Sequence, residues 1–291
     1  MSTESPNQQP AISKVNPLAK LFRTPAIYID LPSGGAYYPE GSLNLPENGE
    51  LPVYPLTNKD EITLRTPDAL INGQAVVDVI HSCLPNIKNA WLMPTLDVDA
   101  CLIAVRIASY GHNMDFDQIC PHCGAEHTYS MDLRETLNGL RSPDYSGTTD
   151  LGPMQIKFQP QNYTHANSMN RIGFELQKTA QSIENLPDGE EQAAAISMQL
   201  AKITGLTSDV MANSTDYIEL NDTGERITDK EFIKEFYSQI DAKTFTKIQT
   251  ALNSITEVAN IKPSKVACQS CQGEVEINVM FDYAGFFGLG S

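Results

Sequence analysis

The chain has 291 residues and a formal net charge of −16, and hydrophobic residues make up 41% of it. This composition is typical of a globular protein of one or two domains and excludes a largely disordered chain. Because nucleic-acid binding relies on clustered Lys and Arg, the acidic balance argues against such a partner. We expect a soluble intracellular protein, since no apolar run approaches the roughly 20 residues that span a bilayer and the N-terminal stretch lacks the apolar core of a secretory signal.

The first part of the chain predicts a tail followed by short strands. Residues 1–24 are mostly polar, and we expect them to form a flexible N-terminal tail. A strand is predicted at AIYIDL (26–31), broken by a turn at Ser33-Gly34-Gly35, where glycine allows positive φ. The segments LPVYPLT and EITLRT (51–66) are interpreted as further short strands.

Two helices are predicted next. TPDALINGQAVVDVIHSCLP (66–85) has Thr66 as a candidate cap and Pro67 at a first-turn position, and it carries an apolar stripe at helical spacing. TLDVDACLIAVRIASYG (95–111) ends at a glycine that is a natural helix stop. Cys83 and Cys101 lie within these apolar patterns, so we expect them to behave as small buried hydrophobes.

The pattern becomes mainly helical after residue 150. A short strand is predicted at MQIKFQ (154–159), followed by four helices separated by turn-forming residues. Those helices are predicted at 161–186, 188–204, 228–241 and 243–257. The last of them precedes a return to alternating apolar residues near the C-terminus, and the closing AGFFGLGS is predicted either to pack on the core or to form an adhesive tail.

The sequences CPHCGAEHTYSMDL (120–133) and CQSCQGEVEINVMF (268–281) repeat one another. Each begins with C-x-x-C, has a glycine one or two residues later, and has a glutamate six residues after the first cysteine. Apolar residues then alternate at matching positions, which predicts a strand leaving each cysteine pair. Glycine in each unit is expected to supply the left-handed step that completes the turn.

Two such units facing each other predict a zinc site formed by Cys120, Cys123, Cys268 and Cys271. Four thiolates suit tetrahedral Zn²⁺ and fill every position, so the metal is expected to be structural. His122 and His127 are alternative ligands that four cysteines make unnecessary. Two independent thiol pairs remain an alternative, but redox C-x-x-C motifs usually open a helix, whereas these precede strands.

These observations predict an α+β fold, in which a zinc-ribbon-like split four-cysteine knuckle is joined to a small α/β core with a mostly helical insertion. Residues 25–149 and 258–291 are predicted to form one discontinuous core held by the metal. Residues 150–257 are predicted to form the mainly helical insertion.

The sequence offers no recognisable catalytic motif. It contains no P-loop, no G-x-S-x-G and no H-E-x-x-H. Asp97 and Asp99 are interpreted as acidic residues that favour a helix start, and His81 as a packing residue. We therefore expect a scaffold or adaptor and no enzyme, and a zinc-dependent hydrolase would require an open coordination position.

Several stretches resemble the T4-type bacteriophage base plate protein family. They occur in order within residues 17–135: LPSGG followed by AYY, the TNKDE step, TPDALING, and ASYG before CPHCG. Members of that family are counted as baseplate hub or hub-assembly subunits of contractile-tailed phages.

This resemblance implies a non-enzymatic, late-made protein that assembles in the host cytoplasm and binds other hub, spike or tape-measure proteins. It leaves open whether the chain stays in the virion tail baseplate or leaves as a chaperone, and whether it forms a homo-oligomer. The alternative is a zinc-ribbon adaptor of transcription or other nucleic-acid machinery, which the net charge of −16 disfavours.

Overall fold

The computed structural model describes residues 16–66, 72–184, 189–261, 263–277 and 286–287. Within them the chain is a mixture of helices and small antiparallel sheets, as the sequence predicts. The strands are β1 Ile27–Ile29, β2 Leu51–Val53, β3 Asn113–Ile119, β4 Glu126–Asp132, β5 Thr149–Asp150, β6 Met154–Phe158, β7 Thr215–Leu220, β8 Arg226–Ile227, β9 Ser264–Ala267 and β10 Glu274–Ile277. The α-helices are α1 Asn58–Leu64, α2 Gln74–Cys83, α3 Thr95–Tyr110, α4 Leu133–Gly139, α5 Tyr163–Glu184, α6 Glu190–Asn213, α7 Lys230–Gln239 and α8 Ala242–Thr256.

The larger hydrophobic core is built around α2 and α3. The predicted stripe on α2 is fully buried, and residues of α3 between Val98 and Val105 face the same core. Strands β1 and β2 pair antiparallel and contribute Ile29 and Leu51 to it. Cys83 and Cys101 are both buried there, as predicted.

The C-terminal end of the chain contributes to this same core. Phe286 and Phe287 are buried within it, and the carbonyl oxygen of Phe286 accepts a hydrogen bond from Arg106 Nε at 3.2 Å. At these two residues the apolar ending therefore packs on the core, which was one of the two predicted alternatives.

The smaller core combines helices with a four-stranded antiparallel sheet in the order β5-β6-β7-β8. Helices α7 and α8 cover it through Ile233, Tyr237 and Ile248. The sequence predicted β6 and the helices but not β7 and β8, so the region after residue 150 has more sheet than expected.

One predicted strand is a helix. The segment EITLRT falls largely within α1, whose start is fixed by a capping box. Thr57 accepts a hydrogen bond from the backbone of Asp60, and the Asp60 carboxylate accepts one from the Thr57 backbone. These reciprocal bonds satisfy the first free N–H groups of a helix, and they outweigh the β-branched character of the segment.

The first predicted helix begins later than the sequence suggested. Helix α2 starts after Gly73, whose φ of 78° is left-handed, and a Cβ there would lie 2.7 Å from Asn167. Only glycine fits this position without strain, because both the backbone angle and the approach of Asn167 exclude a side chain. The predicted role of Pro67 lies outside the described residues.

Residues 17–21, within the predicted tail, form a short 3-10 turn capped by the Asn16 side chain. Arg23 then anchors the chain, since its guanidinium donates to the carbonyl oxygen of Ser82 at 2.7 Å and lies 3.4 Å from Asp60. Residues 1–15, the remainder of the tail prediction, lie outside the described residues.

Candidate metal centre

Each cysteine pair lies at the tip of a β-hairpin. Strands β3 and β4 pair antiparallel from Ile119 opposite Glu126, and the first C-x-x-C fills the connection. Strands β9 and β10 pair from Ala267 opposite Glu274, and the second C-x-x-C fills that connection. The strands that follow the cysteine pairs, β4 and β10, were predicted from the sequence. The strands that precede the pairs, β3 and β9, were not predicted. The predicted strand residues beyond 277 lie outside the described residues.

The two turns have the same hydrogen bonds. In the first, the Cys120 backbone N–H donates to Ala125 and the Gly124 N–H donates to Cys120, both at 2.9 Å. In the second, Cys268 donates to Gly273 at 2.8 Å and Gln272 donates to Cys268 at 2.9 Å. The sequence repeat is therefore also a structural repeat. Each C-x-x-C turn with these two hydrogen bonds is called a knuckle below.

The left-handed residue differs between the knuckles. Gly124 has φ 73°, as predicted, but in the second knuckle Gln272 takes this step with φ 61°. The prediction that glycine completes the second turn is therefore wrong. Gly273 has another role, because a Cβ at this position would lie 2.5 Å from Cδ2 of His122 in the opposite knuckle.

The four cysteine sulfurs converge although residues 124–267 separate the two pairs. All lie within 4.8 Å of one another, and the Cys120–Cys271 and Cys123–Cys268 sulfur pairs are 3.7 Å apart. A tetrahedron with metal–sulfur bonds of about 2.3 Å has sulfurs about 3.8 Å apart, so the spacing matches a tetrathiolate site. It is far longer than the roughly 2.05 Å of a disulfide, and all four cysteines are free.

The electrostatics of the cluster favour a cation. Backbone N–H groups of Cys271 and Ser270 lower the pKa of the Cys268 thiol to about 6. At Cys271 the Gly273 N–H lowers the pKa, but the neighbouring thiols, Cys123 first, together with burial raise it to about 12. The Cys268 thiol thus loses its proton readily, whereas a second negative charge at Cys271 is unfavourable, and a bound divalent cation would offset that unfavourable charge.

The two histidines near the cluster are not part of the converging group. His122 Nε2 lies 3.1 Å from the backbone oxygen of Glu274, and His127 Nε2 lies 2.9 Å from Oγ of Ser270. Both contacts join one hairpin to the other. These contacts between the hairpins were not predicted, because they depend on the relative placement of two segments that are distant in sequence.

A buried hydroxyl group beside the sulfurs tests how well a metal fits. Tyr129 is 7% exposed, and its hydroxyl has no hydrogen-bond partner of ordinary geometry in the described part of the chain. Burial raises the pKa of this phenol, the adjacent Cys268 and Cys120 sulfurs add to the rise, and the backbone N–H of Gln269 opposes it, so the phenol oxygen lies near one donor while its own O–H has no acceptor of ordinary geometry. A hydroxyl donor next to neutral thiols is poorly satisfied, whereas metal-bound thiolates would be good acceptors, so the residues present fit the metal.

The other candidate residues lie elsewhere and do not form a site. Asp97 is buried, and its carboxylate accepts hydrogen bonds from the Ser33 N–H at 3.0 Å, the Ser33 hydroxyl at 2.5 Å and the Tyr38 hydroxyl at 2.8 Å. It holds the SGG loop against α3, which is a structural role that goes beyond the predicted helix-start role.

His81 Nε2 accepts the Ala90 N–H at 3.0 Å and so supports the chain locally. Across the described ranges, no other group of three or more His, Cys, Asp or Glu side chains converges as the four cysteines do.

The fold and the site together define an α+β protein in which two distant β-hairpins meet through four converging cysteines. A family model described as T4 bacteriophage base plate protein matches residues 38–288. The chain therefore belongs to this family, and the match includes both cysteine pairs and the helical region between them. This membership supports a protein of the phage tail baseplate.

Comparison with curated proteins and with solved structures gave no match. In the segments that the structure describes, no helix combines the length and the apolar character required to span a membrane.

Proposed function

We propose that this chain is a non-enzymatic subunit of the baseplate hub of a contractile phage tail, or a protein that assembles the hub. The observation that carries the proposal is the family match over residues 38–288. The hub assignment in particular rests on the resemblance carried by the motifs between residues 17 and 135. Its place of action would be the host cytoplasm during assembly and, for a subunit that stays, the virion tail.

We propose that Cys120, Cys123, Cys268 and Cys271 bind one structural Zn²⁺. The sulfur spacing supports this assignment, and so does the absence of a fifth converging donor in the described part of the chain. Four protein thiolates leave no coordination position for water or substrate, so the metal would stabilise the fold and perform no reaction. It would stabilise the arrangement of hairpins β3–β4 and β9–β10.

The domain division is part of the same proposal. Residues 25–149 and 258–291 would form the metal-held core, and residues 150–257 would form the insertion. Two observations support it: α2, α3 and Phe286–Phe287 share the larger core, while β6, β7, α7 and α8 share the smaller one.

Exposed apolar side chains support binding to other tail proteins. Helix α6 presents Ile196, Leu200 and Ile203, which follow the spacing of one helix face and are 43%, 58% and 43% exposed. The stretch from residue 192 to residue 208 contains one charged residue, Lys202, although charged residues make up 19% of the chain. An uncharged, exposed apolar helix face is typical of a contact surface.

The N-terminal 3-10 turn offers a second apolar surface. Leu18 and Leu21 of this turn are 59% and 72% exposed, and Phe22, the residue that ends it, is 63% exposed. We propose that these two surfaces, the α6 face and the 3-10 turn, contact other hub, spike or tape-measure proteins.

Quantitative mass spectrometry of purified virions and infected-cell lysate, calibrated on a known tail protein, tests the proposed function. A fixed copy number in virions, in a small symmetric ratio to the tail protein, would identify a structural subunit. Abundance in lysate and tail intermediates with absence from virions would identify an assembly protein. Absence from both tail intermediates and virions would contradict the proposal.

A further inference from the structure

The Tyr129 hydroxyl is the one buried side-chain polar atom in the described residues without a hydrogen-bond partner. Buried donors without an acceptor are rare because they lose hydration without compensation. Because this hydroxyl lies near the candidate metal site, we looked for a hydrogen-bond acceptor that would form only when the metal is bound, namely a cysteine thiolate.

Tyr129 is placed where it can reach the sulfurs. It lies on β4 two residues after His127, whose ring contacts the second knuckle through Ser270. Its side chain packs with Met131 and Ile277, and Val266 packs against both this group and the buried pair Cys120 and Cys268. The ring is therefore part of the packing between the two hairpins, Val266 joins its cluster to the inner cysteines, and the Cys268 and Cys120 side chains interact electrostatically with the phenol.

The four sulfurs are not equivalent. Cys120 and Cys268 are buried, whereas Cys123 and Cys271 are exposed. Water can donate hydrogen bonds to the exposed sulfurs but not to the buried ones. The buried sulfurs depend on the protein for any donor beyond the backbone N–H groups of their own turns, and the Tyr129 O–H is not donated to any other group in the described residues.

We propose that Tyr129 is a positioning residue of the metal site, whose phenol O–H donates a hydrogen bond to the Cys268 thiolate when the metal is bound. The proposal rests on the metal site put forward above. A thiol is a weak acceptor, and deprotonation on metal binding turns it into a charged acceptor that suits a phenol donor. The burial of the unpaired hydroxyl would thus be compensated in the metal-bound state, and the hydrogen bond would reduce the excess negative charge on the tetrathiolate.

The test is Tyr129→Phe in the full-length protein, because this change removes the hydroxyl and keeps the ring. Zinc affinity is measured by competition with a chromophoric chelator, and the Co²⁺-substituted protein is examined for its sulfur-to-cobalt charge-transfer bands. We expect zinc binding about tenfold weaker or more, which is typical for loss of an outer hydrogen bond to a ligand. We also expect the charge-transfer bands to shift, and the metal-free variant to unfold at the same or a higher temperature than the parent.

The matched control is Tyr237→Phe. The Tyr237 hydroxyl lies 2.7 Å from the Thr215 hydroxyl in the smaller core, away from the cysteines. This variant is expected to lose stability equally with and without metal, while its zinc affinity and cobalt spectrum stay unchanged.

Two results would overturn the inference, and they are distinguishable. If the parent binds one zinc through four thiolates and Tyr129→Phe has the same affinity and cobalt spectrum, the role of Tyr129 is wrong and the metal site stands. If the parent binds no metal, the metal site and this inference fail together.

Discussion

At the scale of single residues, the two buried cysteines of the cluster should be more important to stability than the other buried cysteines. Cys120→Ser or Cys268→Ser is expected to lose zinc and to lower the free energy of unfolding by roughly 4 kcal/mol or more, since the binding energy of a structural zinc is part of the folding energy. Chemical unfolding with and without a chelator, together with metal analysis, measures this effect.

Cys101→Ala is the matched control. Cys101 is as buried as Cys120 but lies in α3, in the larger core. This variant should keep its zinc and its response to chelator. A Cys120→Ser protein that retained zinc and unfolded like its parent would rule out the shared site.

A second residue-scale prediction concerns pH. Burial raises the pKa of Asp99 to about 7. Because the folded pKa is raised above the unfolded value, the folded state holds the proton more tightly, and stability is lost as pH rises from about 4 to about 7. Asp99→Asn should therefore raise the free energy of unfolding at pH 8 by about 1–3 kcal/mol, less than the full shift implies because the side chain is only partly buried.

Urea unfolding at pH 5 and pH 8 checks this prediction, since the gain should be smaller at the lower pH. Asp97→Asn is the contrasting variant: its carboxylate accepts three hydrogen bonds, so the change should lower stability at pH 8. Equal stability of Asp99→Asn and the parent at pH 8 would show that the Asp99 carboxylate is better hydrated than its pKa indicates.

At the scale of elements, the second knuckle depends on a close approach between hairpins. Gly273→Ala would place a Cβ 2.5 Å from Cδ2 of His122, so the His122 ring must move away from Glu274. We expect a loss of about 1–3 kcal/mol in the zinc-loaded protein. Thermal unfolding of the loaded protein measures it.

Gly173→Ala provides the control in α5. A Cβ there meets nothing within 4 Å, and alanine favours a helix over glycine by about 0.5–1 kcal/mol. This variant should be slightly stabilised. If Gly273→Ala were as stable as Gly173→Ala, the contact between His122 and the second knuckle would be weaker than the structure indicates.

Helices and strands were predicted correctly where a regular spacing of apolar residues marks them. They were missed or misassigned where the sequence lacks such a spacing. The α2 stripe and the strand after Cys123 were found because their apolar spacing is regular. Strand β9 was missed because the apolar residues of Ser264–Ala267, Val266 and Ala267, are adjacent and show no alternation. Helix α1 was not predicted because the β-branched residues of EITLRT favour a strand, whereas the capping residues Thr57 and Asp60 that start the helix lie just before that segment.

The convergence of the four cysteines was predictable because its signal is carried by residue type and spacing. The repeat of C-x-x-C followed by matching apolar positions indicated that the two halves meet. The roles of Tyr129, His122 and Gly273 were not predictable, because each depends on a contact between hairpins far apart in sequence.

At the scale of the whole molecule, the exposed α6 face should matter for assembly and not for folding. Leu200→Asp is expected to leave the unfolding free energy within about 0.5 kcal/mol of the parent, because the side chain is 58% exposed. Incorporation into tail intermediates should fall, since a charge is unfavourable in a buried contact. Quantitative mass spectrometry of intermediates measures the incorporation.

Lys202→Asp is the matched control, because Lys202 is exposed on the same helix but outside the apolar row. It should have a much smaller effect on incorporation. Equal incorporation of the Leu200→Asp variant and the parent would exclude this face as a contact surface.

The central claim at this scale is that one metal ion joins two parts of the chain that are far apart in sequence. Native mass spectrometry of the full-length protein, followed by alkylation with and without chelator, tests it most directly. The account predicts one zinc per chain and protection of Cys120, Cys123, Cys268 and Cys271 together, all released by chelator. A metal-free chain, or one in which the two C-x-x-C pairs become reactive independently of each other, would contradict it.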